Sequence, residues 1–185
     1  TFKIEKPYDI VISETMQAVL KEEPQVAIMQ NLIRQLPEHA VFIPQQIAVD
    51  VALVSRGTWN SETSVIENVE RMDLGCAMVV DRDHLNSDQF RSTLQMPETI
   101  GACNILKLFT TIQVYGNHVL GENDCSLNIP YKLCDATGMD GDTLDFWYEQ
   151  GEVPHICCRS ALSLKLLRAH GRPDRKPQEM HEPQF

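Results

Sequence analysis

Asp9-Ile-Val-Ile-Ser-Glu14 and Ala40-Val-Phe-Ile-Pro44 are two short apolar runs separated by a stretch with helical periodicity. The order predicts strand, helix, strand. Between them, apolar residues recur at Met16, Val19, Leu20, Val26, Ile28, Met29, Leu32, Ile33 and Leu36, close to a 3.6-residue period. Pro24 falls inside that stretch, so a turn or kink is expected near Glu22-Glu23, with a fresh helical start at Pro24 and a stop at Pro37. Strands joined through a helix pair in parallel, and residues just past a strand's carboxyl end face the ligand crevice of an open α/β sheet. That rule places Glu14 where chemistry is usually done. A lone parallel unit at residue 1 lacks the further strands such a sheet needs, and we expect the chain to be a fragment of something longer.

Beyond Pro44 the pattern becomes β-like. Ala40–Val54 reads as one long β-type stretch bent at Pro44. After Gly57, short β-prone runs alternate with turn signals: Cys76–Val80, Ile105–Tyr115, Cys125–Ile129, Thr143–Tyr148 and Ile156–Leu166. Asn86-Ser-Asp-Gln-Phe-Arg91 reads as one short capped helix. This spacing predicts an antiparallel sandwich or barrel. Pro173, Pro177 and Pro183 among charged residues make 169–185 a flexible tail.

Composition narrows the partners. Acidic residues outnumber basic ones 26 to 16 for a formal charge of −10, which disfavours nucleic acid and anionic membrane surfaces. No apolar run reaches the roughly 18–20 residues that span a bilayer. Thr1–Pro7 lacks the layout of a signal peptide, so a cytoplasmic location with six reduced cysteines is expected. His155-Ile-Cys157-Cys158 is dense in donors, but paired Cys-x₂₋₄-Cys or His-x₃₋₅-His units are lacking and no metal is expected there. Adjacent cysteines on a strand should give one buried thiol and one exposed. Asp81–Asp88 and Asp135–Asp142 read as Asx-type turns, because Leu85, Asn86 and Ser92 stand where a calcium loop starting at Asp81 needs a ligand, Gly and Glu. Trp59, Phe146, Trp147 and Tyr148 are read as core or interface anchors.

Ser13-Glu14-Thr15-Met16, with Glu23 nine residues after Glu14, resembles the acidic loop of the protein arginine methyltransferases. Leu36-Pro-Glu-His-Ala-Val-Phe-Ile-Pro44 resembles the segment that leads that family into its β-barrel domain. The resemblance covers residues 8–55 by motif and the remainder by architecture. It implies that Glu14 and Glu23 act in catalysis by gripping and orienting the nucleophile that accepts a methyl group from S-adenosylmethionine. Carboxylates do this through paired, charge-assisted hydrogen bonds to a guanidinium or ammonium group. Thr15 stands where the family has Trp, Gln17 where it has Gly, and the family's Thr-His-Trp segment has no counterpart; a small molecule is as open as a protein for the acceptor. Gly-x-Gly-x-x-Gly occurs nowhere, so the cofactor-binding half is expected to lie outside these residues.

The expected fold class is thus α+β. Residues 1–55 form a partial Rossmann-like strand–helix–strand unit, 56–168 an antiparallel β-barrel or sandwich domain, and 169–185 the tail. The expected function is that of a methyltransferase fragment not competent alone. The alternative is a non-catalytic β-rich binding or assembly module that forms a homodimer or pairs with another chain, since an orphan parallel unit exposes edges and apolar faces.

Overall fold

The computed structural model describes residues 2–86, 90–162 and 166–169. It contains thirteen strands and one α-helix among those residues. Strand β1 is Ile10–Ile12, helix α1 is Gln25–Ile33 and strand β2 is Val41–Ile43. β1 and β2 pair in parallel, Ile10 with Val41 and Ile12 with Ile43, across the α1 connection. The Val41 amide donates to Asp9 O at 2.8 Å and the Ser13 amide to Ile43 O at 2.9 Å. No third parallel strand joins this pair among the described residues. On β1, Ile10 and Ile12 are exposed, together with neighbouring Tyr8.

The expected helix from Met16 is shorter than its periodicity implies. Ala18–Leu20 is a single 3₁₀ turn, and Val19, Leu20 and Glu22 have φ of 57°, 56° and 66°. Tertiary bonds outweigh helical propensity here. The Val19 amide donates to Thr110 Oγ1 at 2.9 Å, Tyr148 Oη donates to Leu20 O at 2.9 Å, and the Glu22 amide donates to Pro154 O at 2.7 Å. Met16, Val19 and Leu20 are buried because this loop docks on the sheets, which imitates a helical period in sequence.

Pro44 and Gln45 lie between β2 and β3 (Gln46–Val54). The remaining strands are β4 (Thr58–Asn60), β5 (Val65–Glu67), β6 (Arg71–Asp81), β7 (Arg91–Gln95), β8 (Ile105–Tyr115), β9 (His118–Leu120), β10 (Tyr131–Asp135), β11 (Thr143–Glu149), β12 (His155–Ser160) and β13 (Leu166–Arg168). They build an antiparallel sheet ordered β10-β8-β3-β6 with β9 on β8, a second ordered β13-β12-β11-β7, and a β4–β5 hairpin. β6 lies beside β7 and β10 beside β13 without ladder pairing. The described strands therefore enclose a core between two open sheets, and the barrel expected as one option is not closed.

β3 is the central strand of the first sheet. Val51, Ala52, Leu53 and Val54 are all buried because both faces are covered. Main-core residues line one face; Phe109, with Arg71 3.9 Å from its ring centroid, covers the end of the other. The main core is continuous from Met16, Val26, Met29 and Ile33 through Ile47, Leu106 and Leu108 to Phe146 and Ile156. Sheet and strand–helix unit share it.

Other expectations divide. Ile105–Tyr115 is β8 as read, and Thr143–Tyr148 is β11 extended by Glu149. Cys125–Ile129 is not a strand but a 3₁₀ turn at Ser126–Asn128, fixed by buried Asn128, whose amide donates to Thr110 O at 2.7 Å. Cys157 and Cys158 are both buried, because β12 is covered on both faces. All six cysteines are free thiols. The tail from residue 170, residues 87–89 of the expected short helix and residues 163–165 lie outside the described residues. Among the described residues no helix is long and apolar enough to cross a membrane.

Candidate functional site

β1 ends at Ile12, and Ser13-Glu14-Thr15 follows at its carboxyl end. Glu14 is exposed, and Glu23 is half-buried two residues before α1. What holds this segment is Gln25, whose side chain is 0 % exposed. Its Oε1 accepts from Ser13 Oγ at 3.0 Å, the Thr15 amide at 3.1 Å and Thr15 Oγ1 at 2.7 Å, while its Nε2 reaches Ser13 O at 3.4 Å. The residues on either side of Glu14 are thus clamped to the first turn of α1, while the carboxylate between them points into solvent.

Glu23 is positioned separately. Gln17 Nε2 donates to Glu23 Oε1 at 3.3 Å, and the preceding Glu22 amide is tied to Pro154 O on the β11–β12 hairpin. Both acidic residues therefore sit on one loop that runs from β1 to α1 and is anchored to the helix, to β8 through Thr110 and to the second sheet through Tyr148 and Pro154. Burial drives the Tyr148 phenol well above its ordinary range, so it stays protonated and keeps donating to Leu20 O. A preorganised loop with carboxylates at a strand end can bind and orient a cationic or hydrogen-bonding nitrogen.

Sequence reading missed Gln25. A glutamine at the start of a helix has no local signature of burial, and its partners lie ten and twelve residues away. The one available signal was Ser13 and Thr15 flanking Glu14, two hydroxyls that need acceptors. Clefts lie elsewhere as well. One is lined by Arg91, Thr93, Asp145, Trp147 and Arg159, another by Glu38, His39, Gln46, Asp81 and Arg82, and neither lining includes Glu14 or Glu23.

No family model and no curated protein matches the chain. Among solved structures, a chain of the Trypanosoma brucei PRMT1 enzyme–prozyme heterotetrameric complex with AdoHcy is similar, with a TM-score of 0.51 and 13% identity. The alignment covers 90% of this chain and 68% of that one. The likeness is one of fold. It covers most of the chain, so the β-rich arrangement as a whole, and not one hairpin or sheet, resembles a methyltransferase chain.

Proposed function

We propose that these residues are part of an S-adenosylmethionine-dependent methyltransferase, acting on a small-molecule or protein acceptor that Glu14 and Glu23 bind and orient. The observation that carries this reading is the anchored acidic loop at the end of β1, in a chain whose fold resembles PRMT1 over 90% of its length. In this reading residues 1–55 complete a Rossmann-like unit and 56–168 cap the acceptor side.

The described residues do not by themselves fit the cofactor. Phe2–Asp9, ahead of β1, contain no glycine, and the described glycines lie in strands and turns from Gly57 onward. The cradle for the cofactor would be contributed by other polypeptide, set against the exposed Ile10 and Ile12 of β1. What these residues supply is acceptor binding. A carboxylate carried on a backbone clamped at both neighbours can hold a nitrogen by charge-assisted hydrogen bonds and accept its proton when the nitrogen reacts.

Calorimetric titration of the full-length protein with S-adenosylhomocysteine tests the reading: saturable binding is expected, and none at millimolar ligand overturns it. Once an acceptor is in hand, Glu14→Gln should lower kcat/KM by about 100-fold or more at unchanged stability. Full activity in that variant would remove Glu14 from the chemistry.

An assembly module is the second reading, favoured by one feature. Trp59 and Ile66 face each other across the β4–β5 hairpin and are 61% and 54% exposed. Paired exposed apolar residues on a projecting hairpin suit a second copy or another chain. Light scattering of the parent and of Trp59→Ser/Ile66→Ser checks this: dissociation of an oligomer supports it, whereas a parent monomer with no cofactor binding leaves neither reading standing.

A further inference from the structure

β11 and β12 pair antiparallel with Glu149 opposite His155 and Trp147 opposite Cys157. Side chains alternate along a strand, so His155 and Cys157 share a face, and the cross-strand partner Glu149 shares it with them. Ile156 and Cys158 face the main core on the other side. The sequence shows His155-Ile-Cys157 alone; the third donor arrives only through the hairpin register.

The distances are those of a coordination site. Cys157 Sγ lies 3.3 Å from Glu149 Oε2, His155 Nε2 lies 3.9 Å from the same oxygen, and all three ligand atoms fall within 4.8 Å of one another. A tetrahedral zinc with bonds of about 2.0–2.3 Å separates its ligand atoms by roughly 3.3–3.8 Å, so small side-chain adjustments close the set. His155 is already oriented. Its Nδ1 is 2.8 Å from Val153 O, and since a carbonyl only accepts, Nδ1 is the donor and Nε2 is the ring atom turned toward the cluster, the one a metal would take. His155 is 6% exposed and Cys157 fully buried, whereas Glu149 opens to solvent.

We propose that Glu149, His155 and Cys157 form a site for one divalent cation of the zinc class, with water completing the tetrahedron on the exposed Glu149 side. The donor set selects the ion. Thiolate and imidazole disfavour magnesium and calcium, and one carboxylate plus one thiolate neutralise a divalent charge in a mostly buried place. The Cys157 proton leaves to solvent on binding. The site closes the end of the hairpin whose Pro154 carbonyl holds the Glu22 amide, so occupancy stiffens the mount of the acidic loop. The inference stands independently of the methyl-transfer reading.

Chelator-stripped full-length protein titrated with Co²⁺ alone, followed by competition with Zn²⁺, tests it. One Co²⁺ per chain is expected, with the visible bands of a four-coordinate centre and a near-ultraviolet sulfur-to-cobalt charge-transfer band, both lost as Zn²⁺ displaces it. Cys157→Ser should abolish the charge-transfer band. Glu149→Gln, at an exposed position that leaves folding unchanged by circular dichroism, should weaken Co²⁺ binding at least about tenfold. No stoichiometric binding by the parent, a charge-transfer band surviving in Cys157→Ser, or unchanged affinity in Glu149→Gln would each overturn the site. If Cys157→Ser does not fold, Glu149→Gln and His155→Gln decide by affinity alone.

Discussion

Gln25 concentrates three donated hydrogen bonds on one buried oxygen, and removing it takes that acceptor from the Thr15 amide and leaves the Ser13 and Thr15 hydroxyls only each other, 3.3 Å apart. Gln25→Ala should cost about 2–3 kcal/mol by denaturant unfolding, because a donor left unsatisfied costs more than a made bond gains. Exchange of the Thr15 amide should quicken beyond what the global loss explains. Asp142 shows the same logic with a charge. Burial raises its affinity for a proton, but donation from Ser160 Oγ and from the Leu162, Thr143 and Ala161 amides outweighs this and holds the carboxyl below its ordinary range. A folded-state value below the unfolded one means stability present above about pH 4 and lost as pH falls through the folded value. Stability of the parent should therefore drop on acidification below about pH 4 more steeply than that of Asp142→Asn, which should start about 2–3 kcal/mol lower near pH 7. Parallel curves from equilibrium unfolding across pH 2–7 would contradict this.

Elements differ in how far their own residues specify them. Gly57, which leads into β4, has φ of +67°, and a Cβ there would sit 2.5 Å from Ile66 Cγ2 and 2.8 Å from Glu67 O. Gly116, between β8 and β9, has φ of +54° with open space around it. Gly57→Ala should thus cost about 2 kcal/mol or more and Gly116→Ala about 1 kcal/mol, measured as shifts in unfolding midpoint. Equal costs would mean that the β4–β5 hairpin yields freely. The same contrast explains what was readable. β8 was legible because it is central and its inward residues Leu106, Leu108 and Ile112 are apolar and buried. β7 and β10 went unread because they are edge strands, and Arg91-Ser-Thr-Leu-Gln95 carries no fully buried side chain to mark a face. The loop from Met16 to Glu22 was misread because its apolar residues obey docking rather than a helical repeat. At the candidate site, the position of Glu14 after β1 was legible, whereas Gln25 and the Glu149–His155–Cys157 set depend on partners that only the fold brings near.

At the scale of the molecule, α1 and both sheets draw on one core, so the unit around Glu14 has no separate interior. Far- and near-ultraviolet circular dichroism should lose signal in one coincident transition, and Met29→Ala, about 2–4 kcal/mol at a fully buried site, should move both together. Two separated transitions would mean that the strand–helix unit melts by itself. The position of β3 has a further consequence, for synthesis. Its neighbours on either side are β6 and β8, and β8 ends at Tyr115 whereas β3 ends at Val54. At roughly 5–20 residues per second, a ribosome takes seconds to pass from one to the other. Throughout that interval Val49-Asp-Val-Ala-Leu-Val54 is finished, with Val49, Val51 and Leu53 making one face wholly apolar and Ala52 and Val54 following Asp50 on the other, and without one of its two ladder partners. An unpaired apolar strand is a template for another copy of itself, so during that interval the nascent chain carries an aggregation hazard that the finished sheet no longer shows.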